Sequence, residues 1–212
     1  MEILESHYLR YSAVALYEPL GFVLIPESRI REGLPRSYPL MQGFGETIIL
    51  ADPDAGEFVQ VEKSRLQLRC EKPEETDCEV LQRVVAHLLG VLGATLTSVR
   101  VNHHYRFKVG GQALGVVRVL LDKEGETGAT AMAGALVSGG VRLICDRPDG
   151  RYDLRVEALP PDRPADELLC GLTIRHETTE LGNLMLRGGV ERDYLMRTVG
   201  RLCESVAGGG SL

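Results

Sequence analysis

The sequence has no tryptophan and few other aromatic residues, with four phenylalanines and seven tyrosines among 212 residues. Its core must therefore consist mainly of aliphatic Leu, Val, Ile and Ala side chains. The composition is otherwise that of an ordinary globular protein, 44% hydrophobic and 25% charged. A chain of this length can bury a sizeable core without disulfides or a structural metal.

Long apolar runs and an apolar leader are also absent. The longest apolar runs lie at 115–122 and 134–141, far below the ~20 residues that span a bilayer. The N-terminal stretch carries two glutamates and lacks the apolar centre of a signal peptide. These absences predict a soluble, cytoplasmic protein without a membrane partner.

Paired cysteine motifs are missing as well. The number of cysteines is odd and no C-x-x-C occurs, which predicts free thiols in a reducing compartment. A buried zinc site built from histidine and cysteine is an alternative, but no pair shows the close spacing of zinc ligands. We predict no metal and no cofactor. The five cysteines are Cys70, Cys78, Cys145, Cys170 and Cys203.

Catalytic signatures are absent too. The sequence contains no G-x-S-x-G, H-E-x-x-H or P-loop spacing, so we predict that the protein is not an enzyme. A nucleophile pair can still assemble in space from distant residues. A small enzyme with a deep pocket around His103 or His176 therefore stays open as an alternative.

What the sequence does contain is a succession of hairpins interrupted by helices. Turn residues at Asp52–Gly56 and Arg147–Gly150 separate alternating strands, and there is no βαβ rhythm. The pattern predicts an α+β fold with mainly antiparallel sheet and two or three amphipathic helices. We expect a single domain over 1–207, with two similar halves at 1–95 and 96–207 as a possibility, followed by a flexible tail at 208–212.

Local patterns refine this expectation. A capping box at Thr76 and Glu79 precedes an apolar helical stripe that Gly93 ends. A shift of strand parity near Ser64 predicts a β-bulge. A second long helix is predicted over Val190–Val206 and a weaker one from Ala113 onward.

The segment Ser98–Gly111, SVRVNHHYRFKVGG, has the alternation of a strand, so its adjacent histidines point to opposite faces. His103 falls on the apolar face with Tyr105 and Phe107, and His176 joins the apolar face of a neighbouring strand. We expect each to be a core histidine with one backbone partner. The other face carries a candidate basic face formed by Arg100, Asn102, His104, Arg106 and Lys108.

Two interpretations of the basic face remain. It is either a solvated face neutralised by residues such as Glu62 or Glu157, or a surface that binds anions or nucleic acid. The net charge of −6 disfavours wholesale nucleic-acid binding. No aromatic pattern of the kind that stacks RNA bases accompanies it.

Two short motifs carry a resemblance. The stretch Val14–Phe22, VALYEPLGF, followed by Val101–Phe107, VNHHYRF, resembles a sporadically distributed group of uncharacterised bacterial proteins. The resemblance implies strands, a helix, and an Asn-x-x-Tyr strand opening the second half, without an assigned chemistry. The sheet-then-helix outline is also similar to the bacterial export chaperone SecB, as an analogy of fold alone.

Together these observations predict a non-enzymatic intracellular interaction protein. An assembly subunit, adaptor or chaperone-like module would act through sheet edges or by forming a homo-oligomer. The first alternative is anion or nucleic-acid binding through the basic face, and the second is a small enzyme of unknown reaction.

Overall fold

A computed structural model describes residues 1–20, 26–44, 46–71, 73, 77–120, 138–160, 162–176 and 188–207. Within these residues nine strands form one antiparallel sheet in the order β2-β3-β4-β5-β1-β6-β9-β8-β7, which confirms an α+β class dominated by antiparallel sheet. The elements are β1 Ile3–Tyr17, α1 Glu27–Arg31, β2 Leu40–Phe44, β3 Thr47–Asp52, β4 Glu57–Val61, β5 Arg65–Cys70, α2 Asp77–Leu92, β6 Leu96–Val109, α3 Leu114–Leu120, β7 Gly139–Arg147, β8 Gly150–Ala158, β9 Glu167–His176 and α4 Gly188–Ala207.

The centre of the sheet is the antiparallel pair of β1 and β6, which have 15 and 14 residues. β5 returns to pair with β1, and β9 returns to pair with β6. Each return strand precedes a long helix, α2 and α4. In the described elements both halves run strand, short helix, strands, long helix, but four strands separate the two helices in the first half and three in the second. Hydrogen bonds continue through the whole sheet.

One face of the sheet is covered by the described helices and forms the core. Inward side chains of β1 and β5 pack with α2, where Leu81, Val84 and Leu88 are buried. Inward side chains of β6, β8 and β9 pack with α3 and α4, where Val117, Leu195 and Val199 are buried. The large buried residues are mostly Leu and Tyr, as a chain without tryptophan requires.

The β-bulge predicted near Ser64 is wrong. Val61 pairs with Leu66, and the Glu62 amide donates to the Arg65 carbonyl at 2.7 Å. The parity shift thus arises from a tight turn between two antiparallel strands, since each hairpin restarts the alternation. The short edge strand β2 is a further element that the sequence patterns did not predict.

Helix ends follow the expected chemistry where they are described. Gly93, with φ +63°, follows the last residue of α2, and the Ala94 amide donates to the Leu89 carbonyl at 3.0 Å. This is the left-handed C-terminal arrangement that glycine favours. Thr76 of the predicted capping box and the predicted tail at 208–212 lie outside the described residues. None of the described helices has the length and apolar character needed to cross a membrane.

Candidate functional site

β6 divides its side chains between two surfaces. Its odd-numbered side chains from Val99 to Val109, including His103, are buried under the helices. The five residues of the predicted basic face point to the other side. We call that side the helix-free face, because no described helix packs on it.

The helix-free face carries an excess of positive charge, which follows from the pairing registers of the nine strands. Ten basic and five acidic side chains lie on its strands, although the whole chain has a net charge of −6. The basic residues are Arg10, Arg65, Arg69, Arg100, Arg106, Lys108, Arg142, Arg151, Arg155 and Arg175, and the acidic ones are Glu5, Asp146, Asp153, Glu157 and Glu167.

Three arginines stand side by side across neighbouring strands. Arg100 of β6 pairs with Arg175 of β9, which pairs with Arg151 of β8. Like charges directly opposite each other on a sheet are destabilising. Arg151 is neutralised by two hydrogen bonds to Asp146, at 2.6 and 3.0 Å. Arg100 and Arg175 are exposed and form no ion pair with any described residue.

The other members of the predicted basic face differ in their surroundings. Asn102 is bonded within the sheet, because its amide donates to Ser12 Oγ at 3.0 Å and its Oδ1 accepts from Thr173 Oγ1 at 2.8 Å. Arg106 has a distant ion pair with Glu167 at 3.9 Å. Asn102 therefore stabilises the pairing of the strands, and unneutralised positive charge lies on Arg100 and Arg175.

The predicted pairing of the basic face with Glu62 or Glu157 is not found among the described residues. The Glu62 carboxylate accepts from the Gln60 side chain at 2.6 Å. Glu157 lines an open depression of about 330 Å³ that also contains His104. Neither forms an ion pair with the basic face within the described part of the chain.

The depression lies in a cross-strand row of side chains in which one position is a glycine. The row runs from Arg10 on β1 through His104 on β6 and Gly171 on β9 to Arg155 on β8. All four residues line the depression. Leu9, the extra residue where the β1–β6 register shifts, lies beside them. Burial, and then the positive charge of Arg10, lower the pKa of His104 below its usual range.

The helix-free face also carries an apolar group on β2, β3 and β4, beyond the polar strand β5. Leu40, Phe44, Ile49, Ala51 and Phe58 form this group, and Arg65, Gln67 and Arg69 of β5 separate it from Val14 and Leu16 of β1. Scattered exposed apolar residues are normal, but a group that extends over neighbouring strands marks an interaction surface. The exposed fractions are 42% for Leu16, 49% for Leu40, 60% for Phe44 and 37% for Phe58.

A second polar cluster lies beneath the other face, fully inside the protein. Glu191, in the first turn of α4, accepts from His103 Nε2 at 3.0 Å and from His176 Nε2 at 2.7 Å. The Gln82 amide donates to the same carboxylate at 3.2 Å, and Tyr8 Oη lies 2.7 Å from His103 Nδ1. We call these five residues the buried carboxylate network.

The network keeps its carboxylate charged. Burial raises the pKa of Glu191, but the hydrogen bonds from His103 and His176 outweigh this and hold it at about 2. The N-terminus of α4 adds a favourable dipole. Burial also raises the pKa of the Tyr8 hydroxyl far above its usual range, so this hydroxyl keeps its proton.

The described surroundings of the network, which exclude residues 177–187, leave little room for a substrate. Both histidines are fully buried. The neighbouring cavity, lined by Tyr11 and Gln82, has a volume of about 10 Å³, the size of one water molecule. In the described residues the deep pocket that an enzyme would need at His103 or His176 is therefore not found. The geometry instead fastens α4 to β1, β6 and β9.

Sequence reasoning correctly placed His103 and His176 inside but did not predict the side chain that they share. Each was expected to bond a backbone group, whereas both donate to Glu191, and the other ring nitrogen of His103 lies beside Tyr8 Oη. Glu191 was assigned to the predicted C-terminal helix without a role. The one signal in the sequence is its position in the first turn of that helix, where the helix dipole favours a carboxylate.

The cysteines do not form a metal site among the described residues, where no group of three or more metal-ligating side chains is found. All five are free thiols; Cys145 is exposed and the other four are buried.

No protein-family model and no curated protein matches this chain. The proposal below therefore rests on the geometry of the chain itself.

Proposed function

We propose that the protein is a non-enzymatic interaction module that binds an acidic, partly apolar protein segment on the helix-free face. The observation that carries the proposal is the unneutralised pair Arg100 and Arg175 on a surface that also carries the exposed apolar group of β2 to β4. Arginine and aromatic side chains are the usual anchors of protein interfaces. The cytoplasmic location predicted from the sequence belongs to this proposal.

The dimensions of the face define the partner. Phe58 on β4 and Arg175 on β9 are four strand spacings apart, which is about 19 Å. A bound segment must therefore present its apolar and acidic groups at roughly that separation. A nucleic acid would use the arginines of β6, β8 and β9 but leave the apolar group of β2 to β4 uncovered, and those three strands carry no phenylalanine, tyrosine or tryptophan side chain on the helix-free face on which bases could stack.

The test compares three fluorescent probes by anisotropy: a short peptide of alternating Glu and Leu, a peptide of alternating Glu and Gly, and a short oligothymidylate. We expect the Glu–Leu peptide to bind most tightly. Arg100→Gln with Arg175→Gln should weaken both peptides, because two unneutralised charges are removed. Phe58→Ser should weaken the Glu–Leu peptide alone.

The matched control is Arg83→Gln with Arg201→Gln. It removes the same charge from exposed positions on α2 and α4, so binding should be unchanged. Equal loss in both double variants would reduce the effect to net charge and overturn the proposal. Tight oligothymidylate binding without peptide binding would replace it with the nucleic-acid alternative.

A second candidate function is self-association through the edge strand β7. Leu143 and Ile144 of this edge are 40% and 55% exposed, and unpaired strand edges invite pairing with another chain. A concentration series by light scattering tests it, with Ile144→Lys expected to shift any dimer towards monomer. A wild-type protein that stays monomeric throughout would exclude this candidate.

A further inference from the structure

The depression at Gly171 interrupts a row of side chains that would otherwise be continuous. A Cβ atom at Gly171 would meet only the His104 ring, at 3.5 and 3.6 Å, which is ordinary contact. The backbone there does not require glycine, since its φ is not in the left-handed region. The missing side chain opens space on the sheet surface without relieving any strain.

The groups around this space are donors that come from three directions. Arg10 approaches from β1, His104 from β6 and Arg155 from β8. A carboxylate offers its lone pairs in one plane, whereas a tetrahedral phosphoryl group accepts hydrogen bonds from several sides. Arginine is also the residue best suited to multidentate recognition of phosphate.

The existing acidic partners of these arginines hold them weakly. Arg10 bonds Glu71 at 3.2 Å, but Glu71 also pairs with Arg69. Arg155 lies 4.0 Å from Asp153, whose carboxylate is held at both oxygens by Arg142. Exposed ion pairs of this kind contribute little, so both guanidinium groups are available to a stronger anion.

We infer that the depression lined by Arg10, His104, Gly171 and Arg155 is a binding site for a phosphoryl group. The inference rests on the proposed role of the helix-free face and names one chemical group that this face accepts. Glu157 is the opposing charge at the rim of the depression. Its removal should therefore strengthen binding.

The site also couples anion binding to proton uptake by His104. Burial, Arg10, His103 and Arg155, in that order, lower the pKa of His104 and so disfavour the imidazolium, and Glu71 favours it. Glu157 lies at the rim, and His103 is next to His104 but turned to the opposite face. A bound dianion supplies the missing counter-charge, so affinity should rise as the pH falls below the ordinary histidine pKa of 6.5.

Isothermal titration with inorganic phosphate tests the site, with acetate at equal ionic strength as the carboxylate comparison. Gly171→Val fills the depression and suits a strand, so we expect about tenfold weaker phosphate binding or more with undiminished thermal stability. Glu157→Gln should bind roughly threefold tighter because a weak repulsion is lost. Phosphate affinity that is unchanged in Gly171→Val, or equalled by acetate, overturns the inference.

Sulfate separates the proton coupling from the titration of phosphate, since sulfate keeps its charge between pH 5 and 8. Its affinity should rise towards pH 5 in the wild type and stay flat in His104→Gln. A phosphoserine peptide and free phosphate distinguish the source of the group: a tighter peptide indicates a phosphorylated partner, and equal affinity indicates free phosphate. A flat sulfate profile in the wild type contradicts the proton coupling.

The two proposals fail independently. Arg100→Gln with Arg175→Gln should leave phosphate binding intact, because Arg100 and Arg175 occupy a different cross-strand row from Gly171. A wild-type protein that binds phosphate but not the acidic peptide would refute only the wider surface. A wild-type protein that binds the peptide but not phosphate would refute only the pocket.

Discussion

Replacing Glu191 by glutamine should remove the largest electrostatic stabilisation that the buried carboxylate network provides. The variant keeps the size and shape of the side chain, but it replaces the charge with an amide. The native carboxylate accepts hydrogen bonds from His103, His176 and the Gln82 amide. The amide nitrogen of the introduced glutamine would therefore face at least one of these donors. A buried amide in that position leaves at least one donor unsatisfied.

The magnitude follows from the pKa of Glu191. Its native value of about 2, against an ordinary value of 4.5, corresponds to about 3 kcal/mol of native-state stabilisation at neutral pH. Because the folded pKa is depressed, this stabilisation is fully present above pH 4.5. It is lost as the pH falls from 4.5 towards 2.

The assay is urea unfolding of wild type and Glu191→Gln across this pH range. The variant should lose about 3 kcal/mol at pH 7, and the difference between the two proteins should shrink as the pH approaches 2. Glu204→Gln is the matched control, because Glu204 is an exposed carboxylate on the same helix. It should change stability by less than ~0.5 kcal/mol.

The difference curve isolates Glu191 from the other carboxylates, which titrate in both proteins. A variant that loses less than ~1 kcal/mol at pH 7 would refute the assignment of a charged, hydrogen-bonded carboxylate. So would a difference that stays constant down to pH 2.

Three further outcomes are expected. His103→Gln should lower the free energy of unfolding by about 2 kcal/mol or more and leave phosphate binding unchanged. His104→Gln should weaken phosphate binding and leave the free energy of unfolding unchanged. Phosphate titration and urea unfolding of both variants check this, and the same effect in both variants would contradict the division between the two faces. Gly150→Ala should cost about 2 kcal/mol or more, because its Cβ would lie too close to a backbone carbonyl oxygen at a φ of +146°. Gly43→Ala, which meets nothing within 4 Å, is its control in the same unfolding assay. A thiol reagent should label one cysteine rapidly in the native protein, the exposed Cys145, and rapid labelling that persists in Cys145→Ser would contradict the burial of the other four.

The fold was largely predictable where side chains alternate over long strands. β6 and β8 follow their patterns because a buried face selects apolar residues at every second position. β2 was missed because its edge residues are mostly exposed, and no burial imposes a pattern on them. The turn between β4 and β5 was mistaken for a bulge because both features shift the parity by one residue.

The candidate sites were less predictable because they are assembled from distant strands. Arg175 and Arg100 are far apart in sequence, and only the β6–β9 register places them together. The depression depends on Gly171, an absence of side chain that becomes meaningful only between His104 and Arg155. Pairing registers of this kind are not contained in a local pattern.

The adjacent histidines show how the register is set. A slip of β6 by one residue would offer His104 to Glu191 in place of His103, so the imidazole alone cannot choose between the two alignments. The same slip would bury Arg100 and Arg106 and expose Val101 and its apolar neighbours, at a cost far above one hydrogen bond. The apolar pattern therefore fixes the register, and Glu191 then joins α4 to β6, to β9 and to the Gln82 side chain of α2. Because neighbouring side chains of a strand point to opposite faces, the same register that places His103 under the helices also places His104 on the helix-free face. One alignment of β6 therefore both anchors the helices and exposes the charged side chains.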